Sequence, residues 1–408
     1  MSPEPRDSFL RHRAIYIFLI CVLLFGLGQF HRMSGAVIMP PISADLGVPV
    51  ASLGIAAAAL FFSAALAQVP LGIALDQFGP RRTMPVVLVL AVGGSFLLAA
   101  ADSLNDVIVA RGLIGAGYSV IMMAAYVLFA KWFPPSKFAM MASWLTASAS
   151  FGAMMSSAPL AYAIEVVGWR IPVFVVGALT LLMMVIGAIV IRDGPPGYKE
   201  SADRPATIRQ SLKGYWDVLK YPRFFNLLAM GIVAYGPSTA LVGMWGGPYL
   251  EKTFAMDALG RGHILFLMAA AMPCGALFFG FIDRVGKSRK MIVMCAAGTV
   301  LGAFLTLALY DGLPVWLAAG LFIYINFTQQ YYVVLAAHCR NLFPDHMVGR
   351  ANSTLNLIAI LGIGLLQSLY GWILARFPET GYEISFLAVA GILATTLLIY
   401  SRSVEIRS

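Results

Sequence analysis

The chain has 408 residues, of which 60% are apolar and only 12% are charged, and its mean hydropathy is +0.82. A soluble protein carries about 25% charged residues and could not bury so much apolar surface. The composition also excludes disordered, collagen-like and disulfide-rich chains, so it indicates a polytopic helical membrane protein. The net charge of +9 is explained by basic cytoplasmic loops rather than by nucleic-acid binding.

Twelve apolar runs are long enough to cross a bilayer as helices, which takes about 20 residues each. The predicted spans are 14–40, 50–75, 84–102, 106–130, 138–164, 171–192, 224–250, 262–283, 290–310, 314–338, 351–375 and 382–401. The first run is too long for a removed signal peptide and lacks its small-residue cleavage site. The four cysteines have no pairing or metal-ligand spacing, so we expect free thiols.

The basic residues orient these spans. Most of the 28 Lys and Arg residues fall on one side, and the opposite side carries Arg170, Lys252, Arg261 and Arg376. The positive-inside rule then predicts that both termini are cytoplasmic, in the inner or plasma membrane. The polar segment 193–222 divides the chain into two six-helix halves, 1–192 and 223–408. We interpret it as a solvated linker, with contact to anionic lipid headgroups as the alternative.

The two halves share a loop pattern. Loop 2–3 contains Gly72, Asp76, Gly79, Arg81 and Arg82, and loop 8–9 repeats the pattern with Asp283, Gly286 and Arg289. Asp283 follows Asp76 by 207 residues, about half the chain, which indicates a duplicated unit of the kind found in transporters. We expect either a latch between Asp76 and Arg81 that opens when the halves rock, or a static tight turn.

These loops resemble the loop 2–3 motif of the major facilitator superfamily. The segment Arg111-Gly-Leu-Ile-Gly115-Ala-Gly117 is similar to the family's motif in span four. Shorter segments resemble bacterial permeases for organic anions, sugar phosphates and nitrate or nitrite, namely Phe30-His31-Arg32, Gly168-Trp169-Arg170, Trp245-Gly-Gly-Pro248 and Gly349-Arg-Ala-Asn352. The glycine-rich signature of nitrate porters is absent, and the antiporter motif of span five is degenerate.

The resemblance implies an all-α membrane protein of twelve transmembrane helices, built as two pseudo-symmetric six-helix bundles. It also implies a central cavity lined by spans one, four, seven and ten. The family works by alternating access, so loops 2–3 and 8–9 are expected to gate the cytoplasmic side.

Buried charge points to the class of substrate. All 19 acidic residues map to loops or span ends, whereas Arg32 and Arg111 lie within spans. An arginine binds carboxylate or phosphate oxygens through two hydrogen bonds, so an anionic substrate is predicted. We expect Arg32 to bind it with Gln29, three residues away on the same helix face. The alternative for Arg32 is a structural brace, and Arg111 has either a coupling role or a structural one.

Other candidates are polar or aromatic side chains on spans four, seven, ten and eleven. The predicted substrate-binding set also includes Tyr118, Tyr126, Tyr235, Thr239, Trp245, Gln330, Tyr331 and Asn356. For each of them, an ordinary hydrogen bond between helices is the alternative. His31 is the best candidate for proton coupling, because an anion arriving beside Arg32 would favour its protonation. A satisfied structural histidine is the alternative, and His338 is a weaker candidate.

Together these features predict a monomeric secondary transporter that imports a small organic anion with a proton. No nucleophile–base set, phosphate loop or metal cluster is present, so neither enzymatic activity nor a cofactor is expected. An efflux carrier and a non-transporting membrane sensor are the main alternatives. A copper or other metal importer is a minor one, based on Met268, Met272 and His263.

Overall fold

A computed structural model describes residues 5–195, 216–286, 288–310 and 312–404, and the middle of the predicted linker lies outside these ranges. Within them the chain is helical and contains no β-strand. Large apolar side chains cover the outside of the bundle, and Leu66 and Leu277 are more than 70% exposed. An apolar exterior of this kind faces lipid rather than water.

The first half contains spans one to six. Span one is the helices Pro5–Met33 and Gly35–Leu46, and a short 3₁₀ turn at Val50–Ser52 leads to one long helix, Leu53–Ala99, that holds spans two and three. The remaining helices are Leu104–Tyr118 and Val120–Trp132 in span four, Pro135–Met155 and Ala158–Val167 in span five, and Arg170–Val190 in span six.

The second half contains spans seven to twelve. Span seven is built from Phe224–Ala234, Gly236–Ala240, a π-helical turn at Leu241–Trp245, and Gly246–Phe254. Span ten consists of Val315–Thr328, the 3₁₀ turn Gln329–Tyr331 and Tyr332–Leu342. The other spans are single helices, namely Ala258–Val285, Arg289–Leu309, Asp345–Arg376 and Gly381–Tyr400 for spans eight, nine, eleven and twelve.

Among the described residues, ten helices are long and apolar enough to cross a bilayer, and the 50-residue one among them turns at Gly79 and so makes two passes. Span ten, whose helix is interrupted by its 3₁₀ turn, completes the twelve predicted spans. The structure adds breaks that the predicted spans do not show, in spans one, four, five, seven and ten. Hydropathy averages over a whole span and does not register a break such as that at Ser34.

The two halves meet most closely at what we call the outer end, opposite the end that carries loops 2–3 and 8–9. There span one lies against span seven, and span two against span eleven. At the loop end, here called the inner end, two hydrogen bonds join span six to spans four and one of the same half. Trp132 donates its indole N–H to the Arg192 carbonyl at 2.9 Å, and Arg13 donates to the Val190 carbonyl at 3.0 Å.

Candidate functional site

The break in span one places the predicted binding arginine. The helix ends at Met33, and the Ser34 hydroxyl donates to the His31 carbonyl at 3.2 Å. Just before the break, Arg32 donates from Nη1 to the Gln29 side-chain oxygen at 3.2 Å, so the predicted pairing of these two residues is present in the structure. Both side chains border a crevice between spans one and four that is closed in this conformation, with no space for a water molecule, and that is lined by Leu24, Phe25, Gly28, Gln29, Arg32 and Tyr118.

Tyr118 forms the wall of this crevice and is held in place from behind. Its hydroxyl lies 2.5 Å from the Thr180 hydroxyl, whose own hydrogen is donated to the Val176 carbonyl, so Tyr118 is the donor. A Cβ on Gly28 would lie 2.9 Å from the Tyr118 ring. The glycine therefore lets the ring pack directly on span one, and the phenol contributes an aromatic face rather than a free hydroxyl.

Arg111 is the most deeply buried charge of the described structure, with 2% of its surface exposed. Its Nη1 donates to the carbonyl of His31 at 2.7 Å, so span four holds the backbone of span one at the break. The other two guanidinium nitrogens, Nε and Nη2, have no hydrogen-bond partner among the described residues. Arg111 therefore lies behind the backbone that carries Arg32 and is outside the lining of the crevice.

His31 lies inside the first half, away from the crevice. Its imidazole is buried against the Tyr118 ring, and its Nε2 lies 3.1 Å from the Ser95 hydroxyl. Ser95 donates its hydrogen to the Ala91 carbonyl at 2.8 Å, so Nε2 must carry the hydrogen of the His31 contact. His31, the predicted coupling residue, is therefore next to Arg32 in sequence but lies on another face of the helix.

Three aromatic residues of spans four, seven and ten lie outside the crevice. The rings of Tyr235 and Tyr332 pack at a tilt of 37° with centroids 4.4 Å apart, and both residues are half-buried. The Tyr126 ring of span four packs against that of Phe138 in span five, with centroids 5.9 Å apart. Tyr332 was absent from the predicted binding set, although its place in the polar run of span ten was a usable signal.

Several predicted residues of the second half are packed in its core. Trp245 is fully buried and stacks on Tyr370 with ring centroids 5.9 Å apart, and its indole N–H is unpaired among the described residues. The Thr239 carbonyl accepts from Gln367 at 3.5 Å. The sequence analysis does not include Gln367 and Tyr370 among the candidates, although a polar side chain within an apolar span is a signal for such residues.

The last three predicted binding residues lie on spans ten and eleven. Gln330 donates to the Asn326 carbonyl at 3.3 Å, a hydrogen bond within span ten rather than between helices. The Tyr331 hydroxyl is buried without a partner in the described structure. Asn356 is half-buried, and no described residue hydrogen-bonds to it. None of the three lines the crevice of Arg32.

The predicted gating loops lie at the inner end. In loop 2–3, Gly79 turns the chain with φ of +73°, and the Arg81 backbone N–H donates to the Asp193 carboxylate at 2.8 Å. The structure shows no contact between Asp76 and Arg81, and the backbone of Arg81 is bound instead to the end of span six. Loss of hydration, with repulsion from the Arg81 and Arg13 guanidinium groups, lowers the pKa of Arg192 beside this loop.

In loop 8–9 the corresponding acid is paired. Asp283 accepts from Nε of Arg289 at 2.6 Å and from its Nη2 at 3.1 Å, and Arg289 also reaches the Ala337 carbonyl at 3.3 Å. The two hydrogen bonds from one planar guanidinium group to one carboxylate make this a specific contact. Gly286 has an ordinary φ of −77°.

A bundle of apolar helices with an arginine at a crevice between two of them is typical of a transporter, and comparison with known proteins assigns the family. The profile of the Major Facilitator Superfamily matches residues 18–329, so the chain belongs to this superfamily. It is therefore a multi-pass membrane protein and a secondary transporter by family and fold.

Relatives of this chain carry the names of anion transporters. The nitrate/nitrite transporter NrtP of Nostoc punctiforme is 27% identical over 46% of this chain, and the match spans only 38% of that protein. The "Probable sulfoacetate transporter SauU" of Cupriavidus necator is 23% identical over 72% of this chain and 70% of its own length. Further relatives carry hexose phosphate transport and multidrug resistance names.

Solved structures agree with the fold. A bacterial homologue of the human lysosomal transporter Spinster, in an inward-facing and unoccupied conformation, superposes with a TM-score of 0.79. It is 15% identical and the match covers 95% of this chain and 96% of that one. This likeness confirms the predicted architecture.

Proposed function

We propose that this protein imports a small organic anion together with a proton across the cytoplasmic membrane, with both of its termini in the cytoplasm. The observation that carries the proposal is the Arg32–Gln29 pair facing a crevice between spans one and four. No Asp or Glu is among the buried side chains of the described residues. The charges within the bundle are therefore positive, which favours an anion over an organic cation.

The anion names of two relatives support the same substrate class, since nitrate, nitrite and sulfoacetate are all anions. The crevice is also partly apolar. Leu24, Phe25 and the ring of Tyr118 give it apolar and aromatic walls. An organic anion satisfies both parts, because its charged group pairs with the guanidinium of Arg32 while its carbon skeleton contacts these walls.

The proposal is tested by ligand-dependent thermal stability of purified protein. A ligand that binds only the folded state raises the melting temperature by mass action. Monocarboxylates, dicarboxylates, phosphate esters, organic cations and neutral sugars are compared for wild type and for Arg32→Ala. Loss of a charge-assisted pair costs about 2 kcal/mol, so the stabilising anion should bind Arg32→Ala roughly 30-fold more weakly.

Arg350→Ala is the matched control, because Arg350 is an exposed arginine away from the crevice. It should keep the wild-type response to the anion. If cations or neutral sugars stabilise wild type and Arg32→Ala equally, the anion site is wrong and Arg32 is a brace. Counterflow in liposomes then separates a transporter from a sensor, because a sensor binds without exchange.

Proton coupling is proposed for His31, which is joined to both arginines. It precedes Arg32 in the chain, and its carbonyl accepts the hydrogen bond from Arg111. In liposomes, an inward proton gradient should drive uptake by wild type, and His31→Gln should flatten the pH dependence of uptake. Ser95→Ala, which removes the partner of Nε2 but keeps the imidazole, is the control and should retain it. An unchanged pH profile in His31→Gln contradicts this role.

Export is the second candidate, favoured by the relatives with multidrug resistance names. The direction of transport is measured in the same liposomes. For a given orientation of the protein, an exporter accumulates the solute only when the proton gradient is opposite to the one that drives an importer.

A further inference from the structure

Three arginines meet at the inner end of the first half, around the end of span six. Nε of Arg13 donates to the Val190 carbonyl at 3.0 Å, so the start of span one is bound there. The backbone N–H of Arg81 donates to the Asp193 carboxylate at 2.8 Å, which brings loop 2–3 to the same place. Arg192 lies between these two contacts in the sequence. We call Arg13, Arg81 and Arg192 the arginine cluster.

The charges of the arginine cluster repel one another. Loss of hydration is the largest cause of the lowered pKa of Arg192, and it is followed by repulsion from Arg81 and from Arg13. The nearby carboxylate of Asp193 raises this pKa, but its effect is smaller than that of either arginine. An anion placed among the three guanidinium groups would relieve this repulsion, because an opposite charge favours the charged form of each.

Arg192 presents one edge of its guanidinium group to a ligand. Its Nη1 donates to the carbonyls of Ile189 at 3.2 Å and Ile191 at 3.1 Å, which holds the side chain against the end of its own helix. The indole of Trp132 donates to the Arg192 carbonyl at 2.9 Å and fixes the backbone. No described residue accepts a hydrogen bond from its Nε or Nη2. These two nitrogens lie on one side of a planar fork, which is the geometry that binds two oxygens of a phosphate group.

Exposed apolar side chains continue from the arginine cluster along spans one, three and six. Span six packs against both of the other spans. The side chain of Ile15 on span one is 50% exposed, that of Val86 on span three is 72% exposed, and that of Ile189 on span six is 67% exposed. Ile15 follows Arg13 by two residues, and Ile189 precedes Arg192 by three. The positive charges therefore lie at the ends of spans whose outer surface is suited to acyl chains.

We propose that the arginine cluster binds the phosphate group of an anionic phospholipid, in the leaflet at the inner end of the protein. Basic pockets between the ends of transmembrane helices are suited to such headgroups. A soluble phosphate ester would contact the arginines alone, whereas a phospholipid also covers the apolar side chains beside them. A zwitterionic lipid fits less well, because the arginines repel its ammonium group. The cluster is separate from the crevice of Arg32, so this inference does not rest on the proposed transport function.

The test compares three ligands on the purified full-length protein in detergent. Phosphatidylglycerol, phosphatidylcholine with the same acyl chains, and glycerol phosphate are titrated, and the bound molecules are counted by native mass spectrometry. Wild type should bind phosphatidylglycerol at least about tenfold more tightly than either of the others. The comparison between the two lipids isolates the charge of the headgroup, and the comparison with glycerol phosphate isolates the acyl chains.

The double variant Arg13→Gln/Arg192→Gln removes two of the three charges. It should bind phosphatidylglycerol about 30-fold more weakly, at about fivefold for each arginine, and phosphatidylcholine nearly as wild type does. Arg13→Lys/Arg192→Lys keeps both charges and should retain most of the preference, which separates the charge from the bond to Val190. If the glutamine double variant fails to fold, judged by gel filtration and melting temperature, Arg192→Gln alone should show the fivefold loss.

Arg284→Gln/Arg402→Gln is the matched control. It removes the same charge from two exposed arginines at the inner end of the second half, at the ends of spans eight and twelve. This variant should keep the wild-type preference, and so should Arg32→Ala, so that the lipid site and the anion site can fail separately. Equal losses in the two glutamine double variants would overturn the proposal, because the net charge of the inner end would then attract the lipid. Equal affinity of wild type for phosphatidylglycerol and either of the other ligands would also overturn it.

Discussion

Loops 2–3 and 8–9 carry the same Asp-Gly-Arg pattern, yet they hold their acidic residues differently. In the second half, Asp283 is closed onto Arg289 by two hydrogen bonds. In the first half, Asp76 is exposed and no described residue pairs with it, while the loop is tied through Arg81 to Asp193. The carboxylate of the second loop is thus paired within that loop. The carboxylate of the first loop has no described partner and is available for a contact that forms in another conformation.

This difference shows that a duplicated motif does not imply a duplicated role. The arginine at the position equivalent to Arg289 is Arg82, which is exposed. The two copies therefore share a turn and differ in how the turn is fastened. Both interpretations of loop 2–3, a latch between Asp76 and Arg81 and a static tight turn, remain predictions.

The largest expected effect is at Gly79. Its φ of +73° and ψ of 165° belong to a region that only glycine adopts readily, and a Cβ there would lie 2.5 Å from the Asp193 carboxylate. Gly79→Ala should therefore lower the free energy of unfolding by about 2–3 kcal/mol, as strain adds to loss of the bond to Arg81. Thermal unfolding in detergent measures this change.

Gly72→Ala is the control in the same loop, because a Cβ there meets nothing within 4 Å. It should leave the melting temperature unchanged or slightly raised. Equal melting temperatures for the two alanine variants would show that Asp193 does not fasten loop 2–3.

A smaller effect is expected from the paired acid. Asp283→Asn weakens a half-buried pair with Arg289 and should cost about 1–2 kcal/mol of stability. Asp76→Asn should stay within about 0.5 kcal/mol, since no described contact is lost. A double-mutant cycle with Arg289→Gln isolates the pair, because the second change should add little once Asp283 is altered. Equal losses of stability in Asp76→Asn and Asp283→Asn would contradict the difference between the two loops.

Sequence reasoning predicts the features that depend on periodicity and composition. Hydropathy predicts the twelve spans, and the helical spacing of three residues places Gln29 beside Arg32, as the structure shows. The partner of Arg111 could not be predicted in this way. It is a backbone carbonyl of span one. Every residue has such a carbonyl, so the sequence does not show which one is the partner. Trp245 was expected at the cavity, but tertiary packing stacks it on Tyr370 instead.

The π-helical turn Leu241–Trp245 has a consequence for the tolerance of span seven to changes in length. Each residue added to or removed from a regular helix rotates everything beyond it by about 100°, which would turn buried faces towards lipid. A π turn already holds one residue more than the α-helix around it. Deleting one residue within Leu241–Trp245 would convert the turn to α-helix and leave both flanking faces in register. Span seven therefore contains a site of tolerated deletion, whereas a deletion inside Arg170–Val190 would misplace half of that helix.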